Sequence, residues 1–482
     1  MARSCRSGPA PRCRPQGWGS DTDGRAGSVT AGDDGDPPGA GLPADAPEWL
    51  TWSSLLAALA AGLTVAAAYR RGAFYPGDAL PVAVASLVLI GARLVAGADR
   101  RAVLTAVSVG ALAGWWMATA LIHHRPGAFL PMGAGMLGFL ATFLSFRGLD
   151  HRYRRSAAVG LALLGAVGAA VGLVAVALRI YPQSIPDQGL WRAATTLTYS
   201  NAAGCMFAIS ILVAFGLDLT PRPPRAMVCL LAAALVASES RGAVLAFLVV
   251  LPIVPLVSLK AAVRPVLLGT VAGLLEVATS RGMAHQPLVL ALVVVLVAVA
   301  AALPPRSTPL RLDGWRVAAI AVAVAAAGTI VGITLHAQIA LRLQPGSSLV
   351  RTREWTAALD QWRTSPVTGV GPDVLLHLQG LGHAVDHFAH DEYLQVLAGA
   401  GLVGLLFLAA SGLSVVNAIR RVDVATSCAA AAVAAFAVAS GLDFDWHLPA
   451  LALMAGWAAG LGGEGRRAEA AAGRGAVVAA QR

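Results

Sequence analysis

FAHDEYLQVLAGAGLVGLL, residues 388–406, sets a histidine and two acids directly before a run of apolar and small residues. The run continues to about residue 416, long enough as a helix to cross a ~30 Å hydrocarbon core. Charge at the lip of a bilayer is costly unless it is paired or put to use. The rest of the chain has to supply the reason.

The same pattern recurs on both sides of this stretch. The chain has 482 residues, 57% of them hydrophobic and 13% charged, against roughly 25% charged in an average soluble domain. Apolar runs fall at 49–68, 78–96, 102–122, 127–146, 157–180, 200–217, 226–238, 242–259, 265–280, 287–303, 316–334, 393–416, 424–441 and 447–462. The run at 226–238 is short and that at 265–280 weak, so the spans number about 12–14. The expected fold class is all-α, a polytopic membrane helix bundle with a long extracytoplasmic loop that carries short helices. Residues 1–47 are rich in Gly, Pro, Asp and Arg and hold no apolar stretch or signal-peptide core, which predicts a disordered cytoplasmic tail. Residues 48–194 then form the N-terminal transmembrane helices and 195–463 a second transmembrane region that includes the loop 335–392. Residues 464–482 form another disordered cytoplasmic tail.

The net charge is +10, and Lys260 is the sole lysine among the basic residues. In a membrane protein such an excess reports topology. One set of loops holds Arg100 and Arg101, Arg147 to Arg155, Arg222 and Arg225, Lys260 and Arg264, Arg306 and Arg311, Arg420 and Arg421, and Arg466 and Arg467. These loops are expected on the cytoplasmic side, with Arg70 and Arg71 in conflict. No basic run is interleaved with aromatic residues, so nucleic acid is not an expected partner. Cys5, Cys13, Cys205, Cys229 and Cys428 form no CxxC or metal-ligand spacing.

By this topology the opposite face collects the polar residues. Segment 335–392 is the long hydrophilic stretch, and RTREWTAALDQWRTSP (351–366) reads as an interfacial helix with Trp355, Ala358, Leu359 and Trp362 on one stripe. Arg241, in SESRGAVLAF, is either a snorkelling anchor paired with Glu239 or a clamp for an anion, since guanidinium offers phosphate a planar fork of donors. Arg351 and Arg353 are either solvated or partners in the same anion site. His383, His387 and His390 share a helical face if the segment is helical, but Gly380 and Gly382 argue against both a helix and a zinc site. Proton transfer by one histidine, oriented by Asp386, Asp391 or Glu392, fits better. In GLDFDWHLPA (441–450), Asp443, Asp445 and His447 either cap the next helix or hold a substrate hydroxyl.

Taken in order, TYSNAAG (198–204), SRGAVLAF (240–247), RTREWTAALDQWRTSPVTGVGPDVL (351–375), AHDEYLQVLAGAGLVGLL (389–406) and DFDWHLPA (443–450) resemble the motifs of the O-antigen ligase/polymerase superfamily. These are bacterial polytopic membrane glycosyltransferases that act on polyprenyl-diphosphate-linked glycans. The resemblance covers roughly 195–460 and departs at Asp391, where the family usually has Asn. It implies transfer of a glycan from a polyprenyl diphosphate to an acceptor hydroxyl of a glycan, lipid or protein. The setting would be the outer face of the bacterial cytoplasmic membrane, in cell-surface polysaccharide synthesis. His390, Arg241 and Arg351 match the catalytic positions. Arg353, Asn201, Tyr393 and Asp443 are the substrate-binding expectation, with no metal or other cofactor. A transporter or flippase of lipid-linked glycans is the alternative; it would place polar groups near the midplane in repeated halves.

Overall fold

The computed structural model describes residues 51–303, 346–372, 376–377 and 385–463. The tails, the span expected at 316–334, and His383 lie outside the described residues. Fourteen α-helices dominate what is described. They are α1 (Trp52–Tyr69), α2 (Pro76–Val95), α3 (Arg100–Ile122), α4 (Leu130–Arg147), α5 (His151–Leu178), α6 (Ser200–Phe215) and α7 (Arg222–Ala237). There follow α8 (Arg241–Val250), α9 (Leu256–Thr279), α10 (Pro287–Ala302), α11 (Gly346–Thr364), α12 (Glu392–Ala418), α13 (Val424–Ser440) and α14 (Pro449–Leu461). Among the described residues, 7 helical segments are long and apolar enough to cross a membrane. The only strands there are two short antiparallel pairs, β1 (Ser184–Asp187) with β2 (Leu190–Ala193) and β3 (Leu376–His377) with β4 (Val385–Asp386). The bundle is all-α, as its composition requires.

Which helices lie inside follows from their sequence. α6 and α14 are apolar or small-residued all round, and nearly every residue of each is buried. Gly456 lets α14 lie against α4, because a Cβ there would stand 2.1 Å from the Phe139 carbonyl oxygen. α10, by contrast, fully buries only Val293 and Ala300 and leaves most of the rest exposed. The inner helices are also short: 16 residues in α6 and 13 in α14 give about 24 Å and 20 Å of rise, less than the ~30 Å core. Their ends therefore stop inside the bundle, where polar turns must follow them.

At one end, arginines close the bundle by donating to the last carbonyls of neighbouring helices. Arg147 donates to Ala418 O at 2.7 Å and pairs with Asp99 at 2.6 Å, Arg154 donates to Leu461 O and Gly463 O, and Arg225 donates to Ala301 O. Buried Arg93 donates to Leu144 O at 3.2 Å. Each guanidinium meets the negative end of a helix dipole. Arg147, Arg154 and Arg225 belong to the basic loops that the sequence assigns to a single side.

One expectation is corrected. The spans read as 242–259 and 265–280 divide elsewhere. Pro252 and Pro255 end α8 at Val250 through a 3-10 turn, while α9 starts at Leu256 and runs through Pro265. Lys260 and Arg264 consequently lie in a helix. In α11, Glu354, Ala357 and Ala358 are buried, while Trp355 and Trp362 are half-buried. Alanine permits close approach to α12, and tryptophan, large and amphipathic, stays at the edge.

The end of α11 is tied to α12 by backbone. Val370 N donates to Ala398 O, Gly371 N to Gly399 O, and Leu402 N to Pro366 O, at 2.9, 3.0 and 2.9 Å. The contact requires a break in α12 at Gly401, whose φ 66°, ψ −165° is essentially glycine-only, and where a Cβ would stand 2.2 Å from the Val367 carbonyl oxygen.

Candidate functional site

At the end of α12 opposite the arginine-capped end, four helix starts meet. Asn201 is the second residue of α6, Ser240 caps α8, Asp391 caps α12, and the turn 445–447 leads into α14. Asn201, Ser240, Gly242, Arg351, Asp443 and Asp445 line one small recess there. Helix N-termini carry partial positive charge and unpaired N–H groups, so this end favours anions.

Asp443 is the centre of the polar cluster. Its Oδ1 lies 3.0 Å from Nδ1 of His390, and the Tyr199 hydroxyl donates to both its oxygens at 2.9 Å. Asn201 Nδ2 donates to Oδ2 at 2.6 Å, and the Phe444 N–H donates to Oδ1. Asn201 is held in turn by Arg192, whose Nη2 donates to its Oδ1 at 2.8 Å. Burial alone would raise the Asp443 carboxyl, but the hydrogen bond and charge of His390, the Phe444 N–H and the charge of Arg351 together hold it below the usual carboxylate range. An ionised carboxylate only accepts, so Nδ1 of His390 carries the proton, and in the neutral ring Nε2 is the basic nitrogen. Burial and the Asp443 charge push the Tyr199 phenol well up, so it stays a donor. The His390 ring stands edge-on to Phe444 at 5.1 Å, and its backbone is left-handed with φ 47°. A non-glycine residue held there costs roughly 1–3 kcal/mol and persists where the surroundings over-determine it.

Beside this cluster lies a second one. Glu392 Oε1 accepts from the N–H of Trp446 at 2.8 Å and of His447 at 3.3 Å, and lies 3.0 Å from His447 Nδ1. Asp445 is buried, and burial together with the charges of Asp443 and Glu392 pushes its carboxyl well above the normal range.

The structure brings together His390, Asp443, Asn201 and Arg351, four of the residues singled out in the sequence. Arg241 is exposed on the first turn of α8, flanked by Ser240 and Gly242, which line the recess. Arg353 follows on α11 but is not among the lining residues. Tyr393 points elsewhere: its hydroxyl donates to Ala437 O at 2.6 Å. The acid that holds His390 is Asp443, not Asp391 or Glu392. Asp391 accepts from the N–H groups of Tyr393 and Leu394 as the N-cap of α12, a task an asparagine also performs, and burial raises its carboxyl. Asp443 caps no helix, since α14 begins without a side-chain cap. Residues 387–390 are not helical, in keeping with the reading of Gly380 and Gly382, so His387 and His390 share no helical face. Sequence reasoning missed Tyr199, two residues before Asn201, and Arg192; both hold the cluster through contacts remote in sequence.

A cavity of 680 Å³ opens beside the cluster, between α12, α13, α3 and α4. Its wall runs from Glu392, Tyr393 and Trp446 to Ile419 and Arg421, with an almost wholly apolar lining between.

Residues 226–409 match the sequence model of a family described as O-antigen ligase, which supports the O-antigen ligase/polymerase superfamily for this chain. The matched interval contains Arg241, Arg351, Arg353, His390 and Tyr393, and leaves Asn201 and Asp443 outside. No curated protein matches the sequence.

Proposed function

We propose that this membrane protein of the O-antigen ligase/polymerase superfamily is a glycosyltransferase. It moves a glycan from a polyprenyl diphosphate to an acceptor hydroxyl at the extracytoplasmic face, in cell-surface polysaccharide synthesis. The observation that carries the reading is the His390–Asp443 pair, 3.0 Å apart, whose carboxylate lines a recess with Arg351 and the starts of α6 and α8.

The diphosphate lies against Arg351 and Arg241, with Arg353 adding charge, and the helix starts supply further positive potential. The apolar cavity between α12 and α13 takes part of the prenyl chain, which is why it opens beside Glu392 and Tyr393. The acceptor oxygen attacks the anomeric carbon, and the bond from that carbon to the diphosphate breaks. The electron pair leaves on the polyprenyl diphosphate, where guanidinium groups meet the growing charge. The acceptor proton passes to Nε2 of His390, and Asp443 stabilises the imidazolium that forms. The arginines supply the cationic charge, so transfer is metal-independent. The charge ahead of α12 has its reason here, since chemistry takes place where a lipid-borne diphosphate surfaces.

The test is reconstitution of the full chain in proteoliposomes with a polyprenyl-diphosphate glycan, with and without a chelator. A new glycosidic bond formed in both conditions supports the reading. Product length then divides the two subclasses: a ladder means polymerase, a single capped product means ligase. Movement of the glycolipid across the bilayer with no new bond would overturn it.

A further inference from the structure

The Asp445 carboxyl has no part in the steps above, yet it is 1% exposed and no N–H or O–H donor among the described residues reaches either oxygen, the Cys205 thiol of α6 being the one weak donor beside it. A buried polar group left so is uncommon and calls for a reason. Asp445 lines the recess with Asn201, Ser240 and Arg351. The recess has a volume of 10 Å³, room for about one water-sized oxygen. It therefore admits one atom of a ligand, not a phosphate group.

The surroundings say which atom. Asp443 stands two residues away and is ionised; Glu392 approaches from α12 and Cys205 from α6, and Tyr199 and Tyr393 lie close by. His390 and His447 are engaged by Asp443 and Glu392, and Arg351 is the cation of the lining. A further carboxylate among these acids is unfavourable, so Asp445 holds its proton. A protonated carboxyl donates one hydrogen bond and accepts another. A hydroxyl does the same, whereas an anionic phosphate oxygen only accepts and is repelled by Asp443. We propose that the Asp445 carboxyl holds a single substrate hydroxyl in this recess and thereby selects which sugar is transferred or which sugar accepts it. The inference rests on the glycosyl-transfer reading.

The experiment compares wild type, Asp445→Ala and Asp445→Asn in the same proteoliposomes, with KM measured separately for the polyprenyl-diphosphate glycan and for the acceptor. Asp445→Ala is expected to raise one of the two KM values roughly ten- to hundredfold, with kcat changed far less. The KM that moves identifies whether donor or acceptor supplies the hydroxyl. Asp445→Asn, which still donates and accepts, is expected to recover part of the loss. Its affinity should stay flat as pH is raised, where that of the wild type falls once Asp445 ionises. Infrared difference spectra across a pH titration give a readout free of turnover: a protonated-carboxyl band in wild type that is absent from Asp445→Asn. Wild-type values of both KM in Asp445→Ala would overturn the inference while leaving glycosyl transfer intact. A wild type that forms no glycosidic bond would overturn both, and failure of the band to depend on Asp445 would overturn the protonation on which the selection stands.

Discussion

His390 and Asp443 are 53 residues apart and lie 3.0 Å from each other, and most of the chemistry follows from that contact. The carboxylate fixes the tautomer, Phe444 fixes the ring plane, and Tyr199 and Asn201 fix the carboxylate. His390→Ala removes the base and is expected to cost transfer roughly 10²–10⁴-fold while donor binding persists, as product formation and binding to labelled donor would report. Asp443→Asn keeps the shape and loses the charge, so it should lower kcat more than it changes either KM. Arg241→Lys retains one positive charge but not the planar fork. It should insert normally and transfer poorly, and wild-type turnover in that variant would remove the clamp. Arg241, Arg351 and His390 were singled out in the sequence because each stands in a motif-like run. Arg192 and Tyr199 were not, because a supporting hydrogen bond leaves no periodic trace along the chain.

At the scale of elements, the junction of α11 with α12 decides where Arg351 stands. Segment 366–371 docks on α12 through backbone hydrogen bonds, and it can do so because α12 opens at Gly401. Gly401→Ala puts a Cβ 2.2 Å from the Val367 oxygen and forces a conformation that costs roughly 1–3 kcal/mol for other residues. The variant is expected to release residues 365–372 to limited proteolysis and to lose transfer well before the bundle unfolds. Uncut segments and normal turnover would show that the junction has no such role. The run LAGAGLVGLL reads in sequence as plain membrane helix. Its break is invisible there, since a glycine permits the unusual dihedrals without demanding them. The orientation of α11 was hidden for a related reason: four apolar residues on one stripe do not say whether alanine or tryptophan meets the neighbour.

At the scale of the whole molecule, two acids of opposite character shape the pH response. Asp443 is held below its ordinary range, so its contribution to stability is present above that range and fades as pH falls through the depressed value. Asp445 is held above its ordinary range, so the folded state binds the extra proton, and stability declines as pH climbs toward the elevated value. Thermal stability in detergent should therefore be highest near the ordinary carboxylate range and fall from there toward the elevated value, and Asp445→Asn should flatten that fall. The 680 Å³ cavity makes a separate claim: Ala434→Phe, on its wall, is expected to raise KM for long-chain donors more than for short-chain ones. The all-α class, the approximate span boundaries and the clustering of arginines toward one end were set by composition and hydrophobic runs, because hydrocarbon accepts only helices or closed barrels and penalises charge at every position. Which acid meets His390, where α12 breaks, and that Asp445 faces a one-oxygen recess were decided only in three dimensions. These are contacts between short inner helices whose ends stop within the bundle, and no local pattern in a chain encodes the distance between residues 199, 390 and 443.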